Sequence, residues 1–516
     1  MAGKRTRGVV AAGHELTARA GCEMLEAGGN AFDAAVAACF ASFVCESALT
    51  SPGGGGFFMA HTEEGSTVLY DFFTDVPGKG EDMRFFPVDI SFTGTFQKLF
   101  IGEGSVAVPG TMAGLKEVHQ RHCTLPLDLL LSPAVRHARE GVRLNHHQAR
   151  IIEVLSPMLT ISEEGRKVYA PGGRLLREGD TIFNRDLAAT LELLSREGLD
   201  AFYAGDFAES MVRTFGPPRG LITREDLASY AVERRRPLVF AYRGREIHTN
   251  PPPSSGGSLV AFSLKLIEAY DIKGLGHNTA AGLRLLYEVM RVTNLARREG
   301  FDGKVRDTKE AEGFLSEVNV SRYRERIGGP FEMVEEKWRG NTTHISVVDE
   351  RGNAASVTTS LGIGCGYMLP GTGVMMNNML GEEDLNPMGF HAQKAGTRLS
   401  SMMSPTIVMN QGRPEIVLGT GGSKRIRSAI LQVILNLLDH GLDVCDAVNS
   451  PRVHWDGEVL QVEEGIGAEE LGPLRDAGIE VNRWNEKHMY FGGANVVFRD
   501  RGAGDVRRGG VSLTVE

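Results

Sequence analysis

The segment from Thr342 to Ser360 constrains the fold more tightly than any other stretch of this chain. His344–Val348 and Ala354–Ser360 read as two strands around a tight turn at Arg351-Gly352-Asn353. Strands joined by so short a turn run antiparallel. With Glu350-Arg351-Gly352 as the loop, Val348 stands opposite Ala354 and Thr342 opposite Ser360, about 5 Å apart between Cβ atoms. A slip of one residue would turn every side chain to the other face.

Elsewhere helical and strand patterns alternate. Glu15 to Ala27 has helical spacing and ends at Gly28-Gly29-Asn30, and Ala31 to Cys45 is apolar enough for a buried helix. Gly53-Gly54-Gly55-Gly56 breaks that pattern, and a hairpin is predicted over Phe57–His61 and Thr67–Phe73. Residues 110–235 alternate helical segments with polar turns, Tyr242 to Ile247 reads as strand-turn-strand, and 258–298 is again helical. Residues 303–341, charged and poor in aromatics, are expected to form an exposed connection. Helices together with hairpins make this an α+β chain with some antiparallel sheet.

At 516 residues there is ample material for a buried core. A net charge of −9 argues against a broad nucleic-acid footprint, which needs a basic face. The basic run Arg234-Arg235-Arg236 is read as a solvated loop. Six cysteines form no C-x-x-C pair, so neither a metal centre nor a disulfide framework is expected. The apolar run after the basic start is too short for a signal peptide, and Ala34 to Cys45 is too short to span a membrane. A cytoplasmic location without membrane contact is the expectation.

The chemistry centres on Thr342. If the Asn341–Thr342 bond is cut, Thr342 becomes an N-terminus and carries its own base, because a free α-amino group (pKa about 7.7–8.0) can take the hydroxyl proton. Gly421-Gly422 lets backbone N–H groups approach a ligand closely, which suits a developing oxyanion. The run Gly421-Gly422-Ser423-Lys424 is not a phosphate-binding P-loop, whose Lys directly follows the last Gly.

Thr342-Thr343-His344-Ile345-Ser346, Val347-Val348-Asp349 and Gly352-Asn353-Ala354 closely resemble the γ-glutamyltransferase family of N-terminal-nucleophile hydrolases. The likeness runs nearly end to end. It includes Gly53 to Phe57, Val108-Pro109-Gly110-Thr111, Pro251 to Gly257, Asn377-Asn378, Ser400-Ser401 and Gly421-Gly422-Ser423. The resemblance implies a four-layer αββα sandwich, with a large subunit (1–341) and a small subunit (342–516) intertwined after self-cleavage as a heterodimer, alone or paired into a dimer of heterodimers. It implies Thr342 as nucleophile, assisted by the hydroxyl of Ser360 (usually Thr in the family), and Gly421 and Gly422 as oxyanion donors. Ser400 and Ser401 would hold a substrate α-carboxylate, with Asn378 beside the site. No metal or organic cofactor is implied; the partner is a small-molecule amide.

Three departures bear on substrate. Where the family has an Arg that grips the α-carboxylate, this chain has Phe73. Where it has Gln or Glu after the Asn pair, this chain has Met379, with Glu382 or Glu383 as the acidic residue further on. The segment from there to Ser400 is shorter than in relatives. Arg398, Lys424 and Arg425 are the candidate replacements for the missing Arg. One reading is therefore a γ-glutamyl enzyme acting on glutathione-like amides. Another is an amidohydrolase of the cephalosporin-acylase or oxamate-amidohydrolase kind, which Phe73 and Met379 favour. A third is an uncleaved, inactive scaffold.

Overall fold

The computed structural model describes residues 6–78, 80, 82–92, 95–329, 341–386 and 388–516, the side chains at 91, 92, 95–97 and 341 excepted. Two antiparallel sheets stack at its centre. The first has seven strands in the spatial order Val511–Val515, Gly8–Ala12, Asn341–Asp349, Ala354–Gly362, Gly55–His61, Thr67–Phe72 and Glu233–Arg235. The second has six: Arg501–Ala503, Gly493–Phe498, Arg413–Gly421, Thr406–Asn410, Arg245–Thr249 and Leu238–Tyr242.

Strand alternation explains the layers. Val10, Ala12, Phe58, Ala60, Ile345 and Val347 face outward into a core shared with the helices Glu15–Glu26 and Ala31–Cys45. Their neighbours Val9, Ala11, Phe57 and Met59 belong to a second core, shared with the six-stranded sheet and the helices Gly256–Ile267, Ala280–Ala296 and Arg425–Leu438. The result is helix, sheet, sheet, helix, the α+β sandwich anticipated above. Every residue of Ala31–Cys45 is buried. Its polar start is satisfied by a capping box, in which the Asn30 side chain accepts from the Phe32 and Asp33 N–H groups and Asp33 accepts from the Asn30 N–H.

Among the described residues no helix is long and apolar enough to cross a membrane. Two expectations need correcting. Arg234 and Arg235 lie not in a loop but on the edge strand Glu233–Arg235, where Arg235 pairs with Asp71 at 2.7 Å. The stretch from 303 is not a bare connection, because Thr308–Phe314 and Glu317–Arg324 are capped helices that bury Ala311, Phe314, Val320 and Tyr323. The last part of that stretch, 330–340, lies outside the described residues.

Candidate active site

The strand that carries Thr342 and its partner pair as the turn predicts: Val348 opposite Ala354, and Thr342 opposite Ser360. The register then shifts by one between Asn341 and Thr342, so that Asn341 pairs with Gly362. A bulge of this kind breaks the regular ladder and bends the strand, here at the bond between Asn341 and Thr342. The Asn341 side chain is not described.

Alternation puts the Thr342, His344 and Ser346 side chains on the face toward the six-stranded sheet, with Ser360 and Thr358 beside them. Thr342 is 5% exposed, and its hydroxyl makes no hydrogen bond among the described residues. Ser360 Oγ accepts from the Gly362 N–H at 2.9 Å. His344 is two residues from Thr342 but is not poised as its base. One ring nitrogen meets Thr358 Oγ1 at 2.8 Å and the other Ser346 Oγ at 2.9 Å. Burial pushes its pKa down to about 3, so the ring stays neutral.

On the opposite face Thr343 donates its hydroxyl proton to Glu46, which also accepts from Thr17 Oγ1 at 2.9 Å. Burial raises the pKa of this carboxyl.

The Thr342 carbonyl oxygen is held by the C-terminal end of the chain. Arg508 Nη1 donates to it at 2.9 Å. A Cβ on Gly421 would lie 2.1 Å from that same oxygen, so only glycine allows this approach. After Gly421 the chain leaves its strand through Gly422 (φ 130) and Ser423 (φ 53) and enters the helix Arg425–Leu438. Among the described residues the N–H groups of Gly422 and Ser423 have no acceptor. Gly421 thus contributes space next to Thr342, and the uncommitted donors sit one and two residues further on.

The segment after Asn377 straps this centre. Asn378 Oδ1 accepts from the Ile363 N–H at 2.8 Å, and its Nδ2 donates to Phe100 O at 3.2 Å. A Cβ on Gly362 would come within 2.1 Å of Asn378 Oδ1 and 2.6 Å of Glu382 Oε1, which places both residues beside the Ser360 end of the hairpin. Met379 is buried in the turn Met379–Gly381. Asp384 reaches the other side of the centre, accepting from Ser423 Oγ at 3.0 Å and pairing with Lys424 Nζ at 3.1 Å.

The remaining candidates lie on neighbouring loops. Ser401 Oγ accepts from the Met403 N–H at 3.1 Å, and its carbonyl accepts from the Ser255 N–H at 2.9 Å. Ser400 beside it is half-buried. Phe73 is 1% exposed and stacks on Phe57 at 5.5 Å between ring centroids. The ring is a core residue here, not the lining of an open recognition site, because its apolar body packs best against its aromatic neighbour.

Arg398 is already committed. It bonds Asp71 Oδ1 at 2.9 Å, Asp75 Oδ1 at 2.6 Å and Ala231 O at 2.7 Å, and it covers the Tyr230 ring. Arg425 Nε donates to Tyr490 O at 3.0 Å. A groove of about 990 Å³ lined by Val348, Arg413 and Arg499 opens at the far end of the strand Asn341–Asp349, so it is not the Thr342 site. Arg508, Glu46 and Asp384 escaped the sequence reading; no local motif marks any of them.

Comparison with known proteins supports one assignment. Residues 17–515 match the family model for gamma-glutamyltranspeptidase. A glutathione hydrolase proenzyme of Escherichia coli is 31% identical, over 92% of this chain and 86% of its own length. An acylase ACY 1 proenzyme of a Pseudomonas species is 33% identical, over 89% and 85%. The crystal structure of a cephalosporin acylase from Bacillus halodurans superposes with a TM-score of 0.86 at 25% identity, covering 99% of this chain and 96% of that one. The chain is an enzyme of the gamma-glutamyltranspeptidase family.

Proposed function

We propose that this protein is a self-processing amidohydrolase whose nucleophile is Thr342 and whose acyl group is less polar than a γ-glutamyl group. The pairing of Thr342 with Ser360, next to a bulge at the Asn341–Thr342 bond, carries the first half of this reading. In the first step Thr342 Oγ attacks the Asn341 carbonyl, and the acyl group moves from nitrogen to oxygen. Water then hydrolyses that ester, leaving a carboxylate on 341 and a free α-amino group on Thr342. The names of the relatives as proenzymes support such a cut, which would leave 1–341 and 342–516 as paired subunits.

In turnover the α-amine accepts the Oγ proton as Oγ attacks the substrate amide. The Gly422 N–H, with Gly421 making room and Ser423 beside it, meets the oxyanion. The amine leaves with the proton, and water releases the acid from the acyl-enzyme. An external base is not needed, which fits a neutral, fully engaged His344.

The commitment of Arg398 to Asp71 and Asp75 supports the second half. With Phe73 packed in the core and Lys424 paired with Asp384, a glutamyl α-carboxylate would lack the charge-assisted bond worth roughly 1.5–3 kcal/mol. Likeness to the Escherichia coli glutathione hydrolase favours γ-glutamyl amides as the second reading.

The test has two parts. Thr342→Ala is expected to run as one uncut chain near 56.0 kDa without amidase activity. The wild-type kcat/KM for butyryl-anilide, which lacks both the α-carboxylate and the α-amino group, is expected to equal or exceed that for γ-glutamyl-anilide. A strong γ-glutamyl preference would return the assignment to the second reading, and a cut, active Thr342→Ala protein would remove the nucleophile.

A further inference from the structure

Arg508 is buried in the short turn Val506–Arg508 and reaches the nucleophile's main chain, with Nη1 2.9 Å from the Thr342 carbonyl oxygen. The fold clears a path for it at two glycines that pair across neighbouring strands, Gly421 and Gly493. A Cβ on Gly493 would lie 2.3 Å from Arg508 Cδ, and one on Gly421 would lie 2.8 Å from Arg508 Nη1. Both close approaches exclude any side chain, so the guanidinium is built into this centre rather than folded against it.

Its charge is also poorly neutralised. Among the described residues Arg508 forms no ion pair, and its Nε is buried without a partner. The nearest acids are occupied: Asp505 pairs with Arg452 at 2.8 Å and Arg507 at 3.0 Å, and Glu46 receives the Thr343 and Thr17 hydroxyls.

Resting on the reading of Thr342 as nucleophile, we infer that Arg508 is a positioning residue that fixes the Thr342 main chain and keeps the newly freed α-amino group in its proton-accepting form. A residue's nitrogen lies within about 3.6 Å of its own carbonyl oxygen, so the guanidinium stands within about 6.5 Å of the amine. A like charge at that range disfavours the ammonium form.

The other groups facing this centre do not supply that field. His344 and His488 are held neutral by burial, at about 3 and about 4. Glu46 would act the other way, but burial raises its own pKa. Arg452 and Arg507 are balanced by Asp505 and Glu463, and Arg425 lies over Tyr490. Burial lowers the pKa of Arg508 to about 10, still charged at neutral pH.

The experiment compares full-length wild type, Arg508→Gln, Arg508→Lys and Thr342→Ala, following subunit formation on gels and the pH profile of kcat/KM on the anilide turned over best. Arg508→Gln, which removes the charge, is expected to move the acidic limb up by about one pH unit, so that activity below the limb falls about tenfold. Arg508→Lys keeps the charge and loses the carbonyl bond; it is expected to cut more slowly and to keep the wild-type limb. A wild-type limb in Arg508→Gln overturns the inference. If that variant does not fold, a limb displaced by a unit in Arg508→Lys overturns it equally. Cutting and activity in Thr342→Ala would instead defeat the nucleophile reading, an outcome no Arg508 variant can produce.

Discussion

Replacing Gly421 by alanine adds one methyl group at the point where two strands and a guanidinium converge on Thr342. The new Cβ would stand 2.1 Å from the Thr342 carbonyl oxygen and 2.8 Å from Arg508 Nη1. The oxygen belongs to the main chain and cannot swing aside, so reaching a normal contact requires Thr342 to move by about 1 Å. Misplacement of that size costs on the order of 100-fold in rate, and overpacking a filled interior costs about 1–3 kcal/mol. Gly421→Ala is therefore expected to lose about 100-fold in kcat/KM and to process slowly, with a modest fall in Tm. Gly472→Ala is the control: it lies in the helix Ala468–Asp476 with nothing within 4 Å of the added carbon, and it should be neutral or more stable by up to ~1 kcal/mol. The measurement is subunit formation on gels, anilide kinetics and thermal denaturation of both variants. Wild-type processing and kinetics in Gly421→Ala would refute the claim that this glycine exists for close approach to Thr342.

Two further outcomes follow from the site. Asp384→Asn leaves Lys424 without its carboxylate partner, so kcat/KM for glutaryl-anilide should rise roughly tenfold relative to a neutral acyl-anilide; an unchanged ratio would place Lys424 out of reach of the acyl group. His344 stays unprotonated in the folded protein down to about pH 3, whereas the unfolded chain takes up its proton below about 6.5. Its contribution to stability is thus complete above pH 6.5 and shrinks as the pH falls toward 3, with about 2 kcal/mol lost by pH 5. Urea unfolding of the uncut Thr342→Ala chain at pH 7 and pH 5 should show this loss, and adding His344→Asn should reduce it.

Much of the frame was legible because it depends on local spacing. A tight turn at Glu350-Arg351-Gly352 left one register for the hairpin, and the register alone set Thr342 against Ser360. Continuous apolarity marked Ala31–Cys45 as a buried helix. The helices Thr308–Phe314 and Glu317–Arg324 were less legible, since their apolar residues are few and widely spaced among charges. Gly421-Gly422 drew attention to the corner beside Thr342, where the turn leaves the uncommitted N–H groups at Gly422 and Ser423, a matter of dihedral angles rather than residue type.

Residue identity and spacing by themselves determined the hairpin, the mixed α+β character and the hydroxyl at position 342, because each follows from interactions between residues close along the chain. Which charges remain for chemistry was decided only by tertiary structure. Arg398 is spent on Asp71 and Asp75 more than 320 residues before it. Arg508 meets the Thr342 carbonyl across a separation of 166 residues. Phe73 turns from a recognition candidate into a core ring stacked on Phe57. A charge is available only if no partner reaches it, and those partners come from strands and loops that are remote in sequence and are brought together only when the two sheets stack.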